Sequence, residues 1–355
     1  MRIAIILNNL KPTGTNITTA DFARELIRAY NVNIDFFSFA SRSKDDLDIE
    51  NVKIIHFFSK VDFSQYSHVY SSTLYSDCFS FSRFQLLRGK DRPIVIMGIH
   101  NVIPEDLRFT YGWFISWIIS PIWLWIKFKS DIVIVGSKTL FSYYSRFANS
   151  SKINVIEYGR SKEQHIPFVI PSVDAVTLDK MRLKYKIVGT VGRLSKRKNY
   201  QLTIDLLKSD SKIAWVCLGE GEDLEFLEKL VIENELFERV FFVGYRADSR
   251  PYYKYFDIFF HPSFSEGFPL VIIDAMASRT PILVPRLEVY GSILKNDMVY
   301  YFDQSCNISL LNGLRDIMNN LDLVELKTRN SFVYYEDNLS IEAYGKKYFH
   351  LLNGN

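Results

Sequence analysis

Short apolar runs, rich in β-branched and aromatic residues, recur along this chain and alternate with stretches of helical character. In the first half they fall at 2–7, 33–39, 52–57, 68–71, 93–97, 131–135 and 153–157. A second series starts afresh at 187–191 and continues at 213–218, 240–243, 258–260, 282–284 and 299–302. Nearly continuous apolar strands are covered on both faces, and their alternation with helices is the pattern of parallel sheets. Two such series predict an α/β chain of two doubly wound domains facing one another. The predicted boundaries are 1–165 for the first domain and 166–184 for a polar, proline-bearing linker. The second domain spans 185–337, and 338–355 forms an amphipathic helix folding back on the first domain. A length of 355 residues accommodates two domains of ordinary size.

Composition narrows the function. Hydrophobic residues make up 48% and charged residues 23%, which excludes a disordered chain. A net charge of +3 gives no argument for nucleic acid. Cys78, Cys217 and Cys306 are odd in number and far apart, a pattern that suits a reducing cytosol better than a disulfide framework or a zinc site. The first apolar run, Met1 to Asn8, is short for a signal peptide and reads as a buried strand.

Ligands of open α/β sheets bind beyond the carboxyl ends of the strands. Four segments lie at such ends and are predicted to converge on one cleft between the domains: 8–16, His100, 192–198 and 261–276. In the third, Gly192 lets the backbone approach a ligand, Arg193 offers a planar fork to a phosphate, and Lys198 adds a point charge. Lys196 and Arg197 read as surface charges. In the fourth, Glu266 precedes the turn Gly267-Phe268-Pro269-Leu270, and Asp274 follows about two helical turns later. Backbone N–H groups at a helix start suit phosphate. An acid between Ile273 and Ala275 is costly to bury without a partner, which favours a ligand role for Asp274. Cations beside carboxylates suit a molecule carrying both a diphosphate and sugar hydroxyls, a nucleotide sugar. Asp46-Leu-Asp48 has the form of a metal-binding pair, but it lies in a charged loop and reads as solvated surface.

The motifs fall in order: Gly192-Arg193-x4-Lys198, Gly219-Glu-Gly221-Glu222, Val243-Gly-Tyr245-Arg246, Asp257-Ile-Phe-Phe-His261-Pro-Ser263, then the acid pair. Together they resemble the phosphate and E-x7-E motifs of family 4 glycosyltransferases, the retaining enzymes of the GT-B fold. The resemblance is close from 187 to 285 and looser in the first half. It implies that Arg193 and Lys198 neutralise the donor diphosphate and that Glu266 contacts the donor sugar. It further implies that Phe268, Pro269 and Leu270 hold sugar and phosphate through their backbone, that Asp274 binds the ribose, and that Tyr245 and Arg246 border the base. His100 matches a histidine placed beside the donor sugar from the first domain, and Gly14 fits the loop near the reacting sugar. This chain departs from the pattern in three ways. Asp274 stands where glutamate is usual, the first loop has a single glycine, and 286–291 is a poor match to the usual glycine-rich turn.

One segment lies outside these motifs. From Phe109 to Ile126 there is no charge, and Trp113, Trp117, Trp123 and Trp125 are four of the chain's five tryptophans. A spanning helix would divide the first domain, and Pro121 interrupts it. A buried helix pair lining the acceptor cleft is one alternative. An element lying in a membrane interface, with Lys127 and Lys129 at the headgroups, is the reading preferred here.

The expected function is transfer of a hexose-type sugar, with retention, from a nucleoside-diphosphate sugar to a glycan, polyprenyl-linked or glycolipid acceptor in cell-surface polysaccharide or glycolipid biosynthesis. A uridine diphosphate donor is favoured over a guanosine one. No cofactor or metal is expected, and the location expected is cytoplasmic, peripheral at the inner face of the plasma membrane. A nicotinamide-dependent oxidoreductase is the alternative, but Gly219-Glu-Gly221-Glu-Asp-Leu224 lacks the third glycine of a dinucleotide fingerprint. A catalytically idle partner subunit is a third reading, opposed by the presence of Arg193, Lys198 and Glu266 together.

Overall fold

A computed structural model describes residues 1–44, 46–85, 92–162, 169–291 and 293–354. The chain divides into two units, Met1–Arg160 with Asn338–Asn355, and Ser161–Asp337. Every expected strand forms, and every strand pairing in the two sheets is parallel.

The first unit runs β1 (Arg2–Leu7), α1 (Gly14–Tyr30), β2 (Asn33–Ser38), β3 (Val52–Ile54), β4 (His68–Ser71) and α2 (Leu74–Ser80). It continues with β5 (Ile94–Ile99), α3 (Ile103–Tyr111), α4 (Trp113–Phe128), β6 (Ile132–Val135), α5 (Lys138–Tyr144) and β7 (Ile153–Val155). The sheet order is β3-β2-β1-β4-β5-β6-β7, so the winding reverses between β1 and β4. Ala4, Ile5 and Ile6 of β1 and Val95 and Met97 of β5 are fully buried, as a sheet covered on both faces requires. Each such aliphatic side chain contributes roughly 1.5–3 kcal/mol.

The second unit runs α6 (Ser172–Arg182), β8 (Lys186–Val191), α7 (Leu202–Ser209), β9 (Ile213–Leu218), α8 (Leu224–Glu233), β10 (Val240–Gly244) and β11 (Ile258–Phe260). Then come α9 (Leu270–Ala277), β12 (Ile282–Pro285), α10 (Glu288–Gly291), β13 (Tyr300–Phe302), α11 (Asn307–Asn319) and α12 (Leu321–Tyr334). Its sheet order is β10-β9-β8-β11-β12-β13, reversing between β8 and β11. The last helix, α13 (Ile341–Leu352), belongs to the first unit. Tyr348 stacks on Phe22 of α1 with centroids 4.0 Å apart, and Phe349 stacks on Tyr30 at 4.1 Å.

Two expectations need correction. The stretch 166–184 is not a linker throughout: α6 occupies most of it as part of the second unit, while 166–168 lie outside the described residues. The spacing of Leu178 and Met181 supplies a buried face, and Asp174 is held by a buried partner described below. Lys127 is not a headgroup cation. It is fully buried, 2.7 Å from the equally buried Asp77 of α2, and donates to the Gly98 carbonyl at 2.6 Å. Trp123 Nε1 and Ser71 Oγ complete the Asp77 carboxylate's shell at 2.8 and 2.7 Å. Burial pulls the Lys127 ammonium below its ordinary value, and Asp77 opposes that pull.

Helix α4 is consequently amphipathic in the reverse sense. Ser116, Ser120 and Lys127 face the protein, Ser116 Oγ donating to the Pro104 carbonyl at 2.6 Å. Trp113, Phe114, Trp117, Ile118, Ile122 and Trp125 face outward. Among the described residues no helix is long and apolar enough to cross a membrane.

Candidate functional site

The reversal of winding in the second unit falls where ligands of open α/β sheets bind. The loops after β8 and β11 meet there. Gly192 ends β8 at φ +143°, and Gly219 after β9 lies so near that a Cβ there would sit 1.9 Å from the Gly192 carbonyl oxygen. The two turns pack backbone on backbone, which only glycine permits. The Phe264 N–H donates to the Arg197 carbonyl at 2.9 Å, which staples the β8 loop to the β11 loop.

This staple brings Lys198 against Glu266. The ammonium donates to Glu266 Oε1 at 2.6 Å, and both side chains are largely enclosed. His261, the first residue after β11, places Nε2 3.1 Å from the same oxygen and 3.1 Å from Ser263 Oγ. Burial alone would raise the Glu266 pKa, but Lys198, His261 and Arg197 hold the carboxyl well below the usual range. Burial and the Lys198 charge push the His261 ring down, so it is neutral. A neutral ring donating from Nε2 leaves Nδ1 as a bare acceptor, and Nδ1 is buried with no hydrogen-bond partner. Gln304 fixes the loop by donating to the Pro262 and Ser263 carbonyls at 3.1 and 2.9 Å. The expected diphosphate cation and the expected sugar carboxylate are thus bonded to each other. Arg193 stands apart, exposed, 3.0 Å from Glu222.

Past Glu266 the chain turns through Gly267, Phe268 and Pro269 into α9, whose start no side chain caps. The Ile272 N–H donates to the Pro269 carbonyl at 3.0 Å, and the positive dipole end of the helix favours an anion. Asp274 is buried on this helix. Tyr245 is half-exposed, its N–H donating to Glu220 Oε1 at 3.2 Å. Arg246, expected at a base pocket, is instead committed to Asp174 of α6 at 2.8 Å and to the Tyr252 hydroxyl at 3.0 Å. An aspartate buried on α6 requires a cation, and Arg246 supplies it.

His100 and Gly14 lie in the first unit. His100 follows β5, and the Tyr158 hydroxyl lies 2.5 Å from its Nδ1. Burial, and then the Lys127 charge, lowers the ring's pKa to about 3. With Tyr158 donating, the free hydrogen is on Nε2, which is buried and unpartnered. Thr13 caps α1 by accepting from the Asn16 N–H at 3.3 Å, and Asn16 Nδ2 donates to the Asn9 and Lys11 carbonyls at 2.9 Å each. Gly14 faces open space.

Sequence reasoning gave no role to His261, Ser263, Gln304 or Asp174. His261 carried a usable signal, its position at the carboxyl end of a strand. Gln304 and Asp174 carried none, because each reaches the site from an element far away in sequence.

Residues 179–337 match the family model described as glycosyl transferases group 1. The chain is 26% identical over 319 residues to the O-antigen biosynthesis glycosyltransferase WclY of Escherichia coli, covering 86% of this chain and 84% of that protein. It is 33% identical over 162 residues to a Campylobacter jejuni enzyme named N-acetylgalactosamine-N,N'-diacetylbacillosaminyl-diphospho-undecaprenol 4-alpha-N-acetylgalactosaminyltransferase, covering 44% of this chain and 41% of that one. Among solved structures it superposes on Anabaena HepE in complex with UDP, with a TM-score of 0.78, 15% identity and full coverage of both chains. The fold is GT-B, and the matched domain together with the relatives makes the chain a glycosyltransferase. Its second unit carries the glycosyl transferases group 1 domain.

Proposed function

We propose that this enzyme is a family 4 glycosyltransferase that moves a hexose from a uridine diphosphate sugar, with retention, to a polyprenyl-diphosphate-linked glycan in cell-surface polysaccharide assembly. The observation that carries this reading is the ionised Glu266, enclosed with Lys198 and His261 beside the uncapped start of α9. On this reading Lys198 and the start of α9 meet the charge that develops on the leaving diphosphate, and the exposed Arg193 exchanges its Glu222 partner for phosphate. Electrostatic stabilisation of this kind commonly supplies the largest share of catalysis. These cations meet the charge of the leaving group, so the reading assigns no metal. Glu266 accepts from hydroxyls of the transferring sugar, and the acceptor hydroxyl attacks the face that the diphosphate leaves.

Two relatives support the acceptor class by name, one in O-antigen biosynthesis and one acting on a diphospho-undecaprenol. The outward aromatic face of α4 supports work at a cytoplasmic membrane surface, where tryptophan suits the headgroup boundary. A ligand that binds the folded state raises apparent stability, so thermal unfolding against a panel of nucleotide sugars and NAD reads the donor directly. A uridine diphosphate sugar is expected to give the largest rise. A rise with NAD alone would restore the oxidoreductase alternative.

A further inference from the structure

The first unit has a reversal of winding of its own, between β1 and β4, and a cavity of about 510 Å³ opens beside it. That volume lies within the range of small-molecule sites. Asn8, the residue after β1, forms part of the lining. Leu74 and Cys78 of α2 and Ile119 of α4 form apolar walls. Tyr111 and Ile122 also line it, and both are exposed among the aromatic and aliphatic side chains that α3 and α4 present outward. The Cys78 thiol is pushed up by burial, so this wall stays uncharged. The cavity therefore borders both the outward aromatic face and the carboxyl edge of the sheet.

We propose that this cavity holds the isoprenoid units nearest the diphosphate of a polyprenyl-linked acceptor. The proposal rests on the membrane-acceptor reading above. A chain leaving the bilayer over Tyr111 and Ile122 would pass Ile119, Leu74 and Cys78 and bring its polar head to Asn8. The buried Lys127–Asp77 pair fixes α4 to α2 and so fixes the two walls relative to each other.

Cys78 offers a direct readout on the whole protein. Farnesyl phosphate in solution, at about ten times its dissociation constant, should slow Cys78 modification by N-ethylmaleimide roughly tenfold, as mass action on one site requires. Cys306, in the second unit, is the internal control and should be unaffected. Ile119→Trp, which fills the cavity, should abolish the protection. Absence of protection at saturating farnesyl phosphate would overturn the proposal, as would equal or stronger protection by decyl phosphate, which assigns the cavity to acyl chains. The membrane reading is tested separately by liposome flotation of Trp113→Glu and Trp117→Glu. Loss of flotation supports it and unchanged partitioning refutes it, whichever way the cavity test falls.

Discussion

Replacing Glu266 by glutamine should lower the turnover of sugar transfer by on the order of a hundredfold or more, the scale seen when one preorganised electrostatic partner is removed. The donor's affinity should not weaken with it. In the ligand-free site Lys198 is bonded to Glu266 at 2.6 Å, so a bound diphosphate competes with the carboxylate for the ammonium. Glutamine removes the charge, and Lys198 becomes freer to hold phosphate. The expected signature is a fall in kcat with KM unchanged or lower, measured by initial rates across donor concentrations. A rise in KM at unchanged kcat would place Glu266 in ground-state binding alone.

The second large effect is on stability. Lys127→Met should destabilise the first unit by about 3–5 kcal/mol, the usual cost of leaving a buried charge without its partner. Asp77 would remain, fully buried, with only Trp123 and Ser71 as neutral donors. The double variant Lys127→Met with Asp77→Leu should recover much of the loss, since a packed apolar pair often matches a buried ion pair. Urea denaturation of the three variants, including Asp77→Leu alone, gives the coupling between the two sites directly. Additive losses would show that the pair is not the device that holds α4 to α2.

The strands were legible because both sheets are parallel and most of their strands are buried, so the central ones are nearly continuous apolar runs, while the edge strand β3 carries Lys53 and is largely exposed. The family motifs of the second unit were legible because the residues that carry them are local: a turn glycine, a cation and an acid lie within single loops. What was not legible depends on distance in sequence. Nothing near Lys127 marks it as buried, and its partner Asp77 comes from another helix. Charge beside tryptophans suggested a headgroup cation, yet tertiary pairing reversed the facing of that one lysine. The Asp174 partner of Arg246 was hidden in the same way, because Asp174 lies in a stretch whose polarity and proline suggested a linker. The aromatic run itself read correctly as unusual, and its outward face follows from Ser116, Ser120 and Lys127 taking the inward one.

The most direct measurement is the anomeric configuration of the product, read by proton NMR after incubating the enzyme with a UDP-α-hexose and a polyprenyl-diphosphate glycan. The expected result is an α-linked hexose, formed on the order of a hundredfold more slowly or worse by Glu266→Gln. A β-linked product, or transfer that survives Glu266→Gln unchanged, would contradict the proposed function.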